Sequence, residues 1–491
     1  MSATKFLAFD FGAESGRVIL GTINNEKLCL EQIHRFQNRQ VKILGHIYWD
    51  VLYLFDELKK GLEITVKKGH KNLSGIGVDT WGVDFGLIGK DNQLLGNPFC
   101  YRDSRTNRMM EKAFKLISKE KIYSYTGIQF MQINSIFQLL SMVDSKNPVV
   151  EIAETLLFMP DLFNFFLTGE KCSEYTIAST SQLLNVENRS WEPAIFEKLN
   201  LPFKIMPPII EPGSIIGKLL SDIAKDVGTK PVDIIAPACH DTASAVAAVP
   251  VQSNNWAYLS SGTWSLLGIE VDRPIINKSS LNYNFTNEGG FGQKIRYLRN
   301  TMGLWLLQRC IYSWRKEGKS FSYDELIKLA TTSPPFKFII DPDDRMFLNP
   351  DNMPLAIVEF CKKTNQHIPK KVGEFTRCIF ESLALKYRFI IDRINSVIEK
   401  PVEVLHIIGG GSKNELLNQF AANATGIPVI AGPVEATSAG NILIQAIAKR
   451  KIDNIEEGRK FVARSFPLKY YKPENIEEWN DVYHCVKDIF S

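Results

Sequence analysis

The chain has no run of about 18 uncharged apolar residues, the least a membrane-crossing helix needs, so no membrane span is expected. Its opening stretch, MSATKFLAFDFGAESGR, holds only a short apolar run broken at Asp10, too brief for the core of a secretory signal, and a cytoplasmic protein is expected. Cysteine is sparse and scattered: eight thiols in 491 residues, with no C-x-x-C and no paired histidine spacing. That excludes a disulfide framework and a zinc module and leaves reduced thiols as the expectation. Charge of one sign is nearly absent in excess, 58 Lys and Arg against 54 Asp and Glu for a net +4. With no basic run interleaved with aromatics, a nucleic-acid partner is not expected. Neither the G-x-x-x-x-G-K-[ST] of a P-loop nor, at the first glycine turn, the G-x-G-x-x-G of a dinucleotide site is present.

What remains is an ordinary soluble composition, 45% hydrophobic and 23% charged, in a chain long enough for two or three self-sufficient cores. KFLAFDFGAESGRVILGTI reads as two strands about a polar, glycine-bearing turn. A third strand is expected around Gly45 to Val51, then a helix in LYLFDELKKGLEITVKKG and a strand in SGIGVDTWGVDFGLI. From Arg105 to Asn200 the pattern is mainly helical, punctuated by Gly127, Pro148, Pro160 and Gly169. After PVDIIAPACHD and a helix at DTASAVAAV comes a second hairpin, NWAYLSSGTWSLLGIEV, echoing the first. VEVLHIIGGGSKNELLNQF and its continuation read as strand, glycine turn, helix, strand, loop, helix. The chain thus reads as two related halves, residues 1–245 and 246–491.

Tight turns rich in Gly, Ser and Thr present backbone N–H groups as anion nests, and two such hairpins, one per half, imply a nucleotide clamped by both. Asp10 ends an apolar strand beside the first turn, where a carboxylate calls for a cation or donors; magnesium, held largely through water, fits. The alternative is an Asx-turn that only shapes the hairpin. Arg17, leaving the same turn, could offset phosphoryl charge, whereas Glu14 would repel phosphates unless it turns away or holds the metal. Asp241 stands where a strand meets a helix, at the expected N-cap; capping alone would explain it, and so would a base for an acceptor hydroxyl. His240 could meet a sugar hydroxyl or be structural. Trp81 and Gly82 form either an aromatic wall with room for a sugar or simple core. Arg102, Asp103 and Arg105 form either a surface ion group or contacts within a site. Gly409, Gly410 and Gly411 follow a strand and precede a helix, a turn that lets an adenine approach backbone.

DFGAESGR, GVDTWGVDF, YRDSRT, MPDLF with LTG, HDTASAV, YLSSGTWSL, TNEGG, MGLWLLQ, GGGSKNELLNQ and GPVEATSAGN occur in order along most of the chain. In these motifs the sequence resembles the FGGY carbohydrate kinases. The resemblance implies an α/β fold of two actin-like (ribonuclease H-like) domains with a cleft between them. The activity it implies is transfer of the ATP γ-phosphoryl group to the 1-hydroxyl of L-rhamnulose with Mg2+, with L-fuculose or xylulose as alternative acceptors. Carried over motif by motif, Ala13, Glu14, Ser15, Gly16 and Arg17 would bind ATP phosphates, with Thr263 at the second phosphate turn and Gln308 and Gly410 on the nucleotide. Asp241 would be the proton acceptor, Gly82, His240, Asp241, Thr242 and Asn300 would line the sugar site, and Asp10 would serve the metal.

Overall fold

The structure is a computed structural model that describes residues 3–24, 27–251 and 253–490. The chain folds into two compact units: Met1–Pro250 with Glu270–Tyr297 and Ala436–Ser465, and Val251–Ile269 with Leu298–Glu435 and Phe466–Ser491. The long opening stretch of the first unit ends close to the boundary read from sequence. Two later segments rejoin it, and no linker composition marks where they do.

The first unit is built on β1 (Thr4–Phe11), β2 (Ser15–Asn24), β3 (Lys27–Gln37), β4 (Gly75–Thr80), β5 (Ile215–Lys218) and β6 (Asp233–Ile235), in the order β5-β6-β4-β1-β2-β3. β1 and β4 run parallel because the helix Val51–Lys67 lies between them in sequence and carries the chain back. That helix is capped by Asp50, whose carboxylate accepts the Tyr53 N–H at 3.2 Å. Its Val51, Leu54, Leu58 and Leu62, three or four apart, bury one stripe in the core of Leu7, Phe9, Val78 and Ile234. Since β1 and β4 are covered on both faces, they read as continuous apolar runs in which a charged residue stands out. The third strand lies earlier than expected. Lys27–Gln37 pairs with β2, while Gln40–Ile43 and His46–Trp49 form a separate hairpin. β3 lacks a readable strand pattern because much of it is open to solvent, only Leu28, Ile33 and Phe36 being buried apolar residues in KLCLEQIHRFQ. The segment from Arg105 to Asn200 is mainly helical as read, with its own core around Ile122, Phe137, Leu139 and Phe158. Gly127 and Gly169 end helices in left-handed geometry, at φ 61° and 81°.

The second unit repeats the plan with β7 (Trp256–Ser261), β8 (Trp264–Val271), β9 (Ile295–Met302), β10 (Val404–Ile408), β11 (Val429–Ala431) and β12 (Lys469–Tyr471). These six lie side by side in the order β9-β8-β7-β10-β11-β12 within a seven-stranded sheet. In each sheet a hairpin (β1–β2, β7–β8) is followed by two parallel neighbours and closed by an antiparallel edge strand. This is the α/β, actin-like architecture expected from the sequence.

One helix matters most for the site. Ala436–Ala448 lies in the first unit although it comes from the last part of the chain. Gln445 Nε2 donates to the Leu7 carbonyl at 3.1 Å, and Asn441 Nδ2 to Asp79 at 2.6 Å. A Cβ on Gly440 would lie 1.7 Å from the Ser244 carbonyl oxygen, so this helix and Asp241–Ala247 touch backbone to backbone.

Candidate active site

In the first unit the ends of three strand runs meet. Trp81 N–H donates to Phe11 O at 3.2 Å and Thr80 N–H to Cys239 O at 2.9 Å. The carboxyl ends of β1 and β4 are thus locked to the segment that follows β6, the edge where α/β proteins place their sites. Strand register sets Asp10 opposite Arg17 on one side and Asp79 on the other. Arg17 Nη2 reaches Asp10 Oδ2 at 2.6 Å and Ser438 Oγ donates to the same oxygen at 3.1 Å. Asp79 is fully buried, with Asn441 on one oxygen and no partner on the other. Burial, then the charge of Asp10, holds its carboxyl well above the usual carboxylate range. Sequence reasoning passed over Asp79, since only the register with Asp10 marks it.

Asp241 begins the helix and His240 is its N-cap, one position away from the expected placing of Asp241 as the cap. His240 makes no side-chain capping bond, and Asp241 Oδ1 instead accepts the N–H and Oγ1–H of Thr242, the latter at 3.1 Å. Its side chain is 29% accessible, and Oδ2 makes no hydrogen bond among the described residues. Burial raises the Asp241 pKa and nearby Asp10 adds to the rise, while His240 and the Thr242 donors pull the other way. His240 Nε2 lies 3.5 Å from Asp241 Oδ1, and a Cβ on Gly82 would come within 3.4 Å of that same nitrogen. Gly82, His240, Asp241 and Thr242 are therefore one cluster.

Glu174, also unforeseen, holds this loop from behind. Its carboxylate accepts from Cys239 N–H at 3.0 Å and from Thr176 N–H and Oγ1–H, and Thr176 Oγ1 in turn accepts the His240 N–H at 3.2 Å. Burial pushes the Glu174 carboxyl up to about 7.

The first turn is closed by Gly12 N–H on Ser15 O and fastened by Asn38, whose N–H donates to Glu14 O and whose Nδ2 donates to Gly12 O, each at 3.0 Å. Asn38 Oδ1 is buried without a partner. Ala13 and Ser15 are half-buried and Glu14 is exposed. Gly16 is needed for packing, because a Cβ there would lie 2.2 Å from the Phe36 ring.

Trp81 is 5% exposed and packs against Trp49 in a tilted arrangement with ring centres 4.3 Å apart, which makes it mainly core. Both indole N–H groups donate to one oxygen of the buried Asp84, at 2.6 Å and 3.0 Å, and Gln138 donates to the other at 2.8 Å. Arg105 donates to Gln138 Oε1 at 2.7 Å, and buried Asp103 accepts the Ile47 and Arg105 N–H groups. The YRDSRT residues Asp103 and Arg105 thus belong to a buried network, not a surface ion group. Burial raises the Asp84 pKa to about 6.

In the second unit, Gly303 N–H donates to Thr263 O at 3.1 Å and Leu304 N–H to Gly262 O at 2.9 Å, joining the second turn to the start of the helix Trp305–Lys316. Gln308 stands on that helix with Oε1 buried and unpartnered. Asn300 is half-buried on β9. Gly409, at φ 81°, leads into Gly410, around which a Cβ would meet nothing within 4 Å. A Cβ on Gly411 would come 2.0 Å from Ser261 Oγ, so the glycine turn lies directly on β7. Thr263, Asn300, Gln308 and Gly410 all belong to this unit, and Ala13 to Arg17, Gly82 and His240 to Thr242 to the first.

All eight cysteines are free. Among the described residues no set of three or more His, Cys, Asp or Glu is arranged to hold a metal ion, and no helix is long and apolar enough to cross a membrane.

Residues 5–248 match the N-terminal domain of the FGGY family of carbohydrate kinases and residues 257–449 its C-terminal domain. The rhamnulokinase of Bacteroides thetaiotaomicron is 45% identical over 486 residues, covering 98% of this chain and 99% of that one. Those of Oceanobacillus iheyensis and Bacillus subtilis are 42% and 38% identical, each over 96% of this chain and over 99% and 96% of their own. Among solved structures, ligand-bound xylulose kinase from Lactobacillus acidophilus superposes with a TM-score of 0.82 at 16% identity, over 99% of this chain and 97% of that one. Plasmodium falciparum glycerol kinase with ADP gives 0.76, also at 16%, over 99% and 98%; at this identity both bear on the fold alone. Full-length family matches and close relatives together place the chain: it belongs to the FGGY family of carbohydrate kinases.

Proposed function

We propose that the chain phosphorylates the 1-hydroxyl of L-rhamnulose with ATP, giving L-rhamnulose 1-phosphate and ADP, as a cytoplasmic step of L-rhamnose breakdown. Full-length likeness to rhamnulokinases supports the choice of sugar over L-fuculose or xylulose. The observation that carries the chemistry is the Asp241 carboxylate, one oxygen held by Thr242 with His240 Nε2 3.5 Å away, and the other without a hydrogen-bond partner among the described residues.

In this reading Asp241 Oδ2 takes the proton of the sugar 1-hydroxyl as its oxygen attacks the γ-phosphorus. His240 and Thr242 orient the ketose, with Asn300 as a further contact. Gly82 keeps the approach to His240 open, because a Cβ there would already rest against its Nε2 at 3.4 Å. The backbone of Ala13 to Gly16 and the turn at Thr263 hold phosphates. Gln308, with its orphaned buried oxygen, and Gly410, with open space around its Cα, serve the nucleoside. The residues at Asp10 fit magnesium: the charge of Asp10 raises the proton affinity of both Asp79 and Asp241, and a hard dication relieves that crowding of negative charge. Held at Asp10, Mg2+ would supply charge neutralisation for the transferred phosphoryl group. Arg17, paired with Asp10 across the strands that flank the first turn, adds positive charge.

Coupled ADP release, screened over L-rhamnulose, L-fuculose and xylulose with the product's phosphate position read by NMR, tests this. Highest kcat/KM on L-rhamnulose with phosphate on O1 is expected. Faster turnover of another ketose, or ATP hydrolysis indifferent to sugar, would overturn it.

A further inference from the structure

His240 does not stand alone. Its side chain is 9% exposed, and behind it, away from Asp241, lies Arg296, with no exposed surface at all. Arg296 Nη2 is 3.0 Å from His240 Nδ1 and 3.1 Å from Glu288 Oε2, and its Nε donates to the Gly289 carbonyl at 2.8 Å. Glu288 Oε2 is 3.4 Å from the same His240 nitrogen.

A guanidinium has donors only and keeps its proton in proteins. At 3.0 Å from Arg296, His240 Nδ1 must therefore offer a lone pair. If Nδ1 carried hydrogen it would donate to Glu288 across the longer 3.4 Å gap, and two N–H groups would face each other across the shorter one. Both a cationic imidazolium and the Nδ1–H tautomer are disfavoured by that contact. We infer that Arg296, anchored by Glu288 and the Gly289 carbonyl, is a positioning residue that fixes His240 as the neutral Nε2–H tautomer and so makes it an obligatory hydrogen-bond donor to the acceptor sugar. This rests on the reading of Asp241 and His240 as parts of a ketose kinase site.

Two consequences follow for the reaction. The single Nε2–H lies 3.5 Å from Asp241 Oδ1, too far for a strong bond, and is left for the sugar, while Thr242 alone occupies Oδ1 with two donors. The proton-accepting lone pair is thereby confined to Oδ2. A ketose hydroxyl beside His240 is bound through its oxygen, and its own hydrogen is left to point elsewhere.

The test reads the tautomer first. In protein labelled with 15N-histidine, the peak that disappears in His240→Gln, one of seven histidines, should show a pyridine-like Nδ1 and a pyrrole-like Nε2. A protonated Nδ1 in the wild type overturns the inference whether or not any variant folds. In kinetics, Arg296→Met should lower kcat/KM for L-rhamnulose roughly 10- to 100-fold, the scale of a lost charge-assisted bond, with KM for ATP within about threefold. Arg296→Lys, also a pure donor, should recover most of the loss, and Arg296→Met should cost nothing further in a His240→Phe background. Equal losses in both backgrounds would overturn the inference by showing that Arg296 does not act through His240. If the wild type phosphorylates no ketose at all, the functional reading fails while the NMR result still decides the tautomer.

Discussion

An alcohol proton needs a carboxylate oxygen that is not already occupied, and Asp241 keeps one. Asp241→Asn can still accept from Thr242, so the fold and ATP binding should survive. Turnover should fall by ~10²–10⁴, measured as ADP release against ATP affinity by calorimetry; wild-type turnover would leave Asp241 a merely structural residue. Asp84 permits a prediction of the opposite kind, on stability. Its folded pKa is raised to about 6 by burial, so the folded state holds this proton where the unfolded chain has lost it, and the stabilisation is present at acid pH and lost as pH rises from about 4 through 6. In Asp84→Asn that pH dependence disappears, and the variant's amide sets a donor against Gln138 Nε2, which cannot turn over because Arg105 holds its oxygen. Wild type should be the more stable form, by a margin that narrows by up to about 3 kcal/mol between pH 4 and 7; denaturant melts at several pH values would show it, and a widening margin would refute it. These residues differ in how visible they were. Asp10 and Asp241 are legible because each interrupts an apolar run beside a polar turn. Asp79, Glu174, Arg296 and Asn38 gain meaning only from partners 26 to 69 positions away, which no local pattern announces.

At the scale of elements, glycine decides where backbones may touch. The helices Asp241–Ala247 and Ala436–Ala448 approach so closely at Gly440 that a methyl group would sit on the Ser244 carbonyl oxygen, and backbone cannot step aside as a side-chain tip can. Gly440→Ala should therefore cost ~1–3 kcal/mol or more of stability, seen as a lowered Tm, and should lower kcat as well, because the helix it displaces begins at Asp241. An unchanged Tm would mean that the contact is looser than described. In the second unit Gly303 plays the same part: a Cβ would lie 2.7 Å from both Gly262 O and Trp264 C. Gly303→Ala should shift the second hairpin turn and raise KM for ATP by roughly tenfold while leaving KM for the ketose nearly unchanged; an equal rise in both would remove the turn from the nucleotide site. Both hairpins, the glycine turn and the helix at Asp241 were readable from sequence through their turn residues and apolar runs. β3 was not, since its long solvent-facing side hides the alternation that identifies a strand.

For the molecule as a whole, the repeated strand order explains why the sequence reads as two halves, yet the compact units are not the two halves of the chain. Segment Ala436–Ser465 returns to the first unit, and the reason is physical. Without the helix Ala436–Ala448, Asp10 loses Ser438, Asp79 loses Asn441, the Leu7 carbonyl loses Gln445, and apolar side chains on β1, β2 and β4 face water. Buried polar groups deprived of their partners cost about 1–3 kcal/mol each, comparable with the whole stability of an ordinary domain once several are summed. Segment Glu270–Tyr297 contributes as well, through Asn287 on the Gly127 carbonyl at 3.1 Å and Arg296 on His240. A fragment of residues 1–250 should accordingly keep much of its secondary structure but melt without a cooperative transition and bind ANS as a loosely packed state does. Supplying residues 251–491 as a second fragment should restore both a sigmoidal melt and kinase activity. If residues 1–250 alone unfold cooperatively with wild-type sharpness, the returning helix is a cover the first unit can do without, and the partners it gives Asp10 and Asp79 serve the reaction and not the fold.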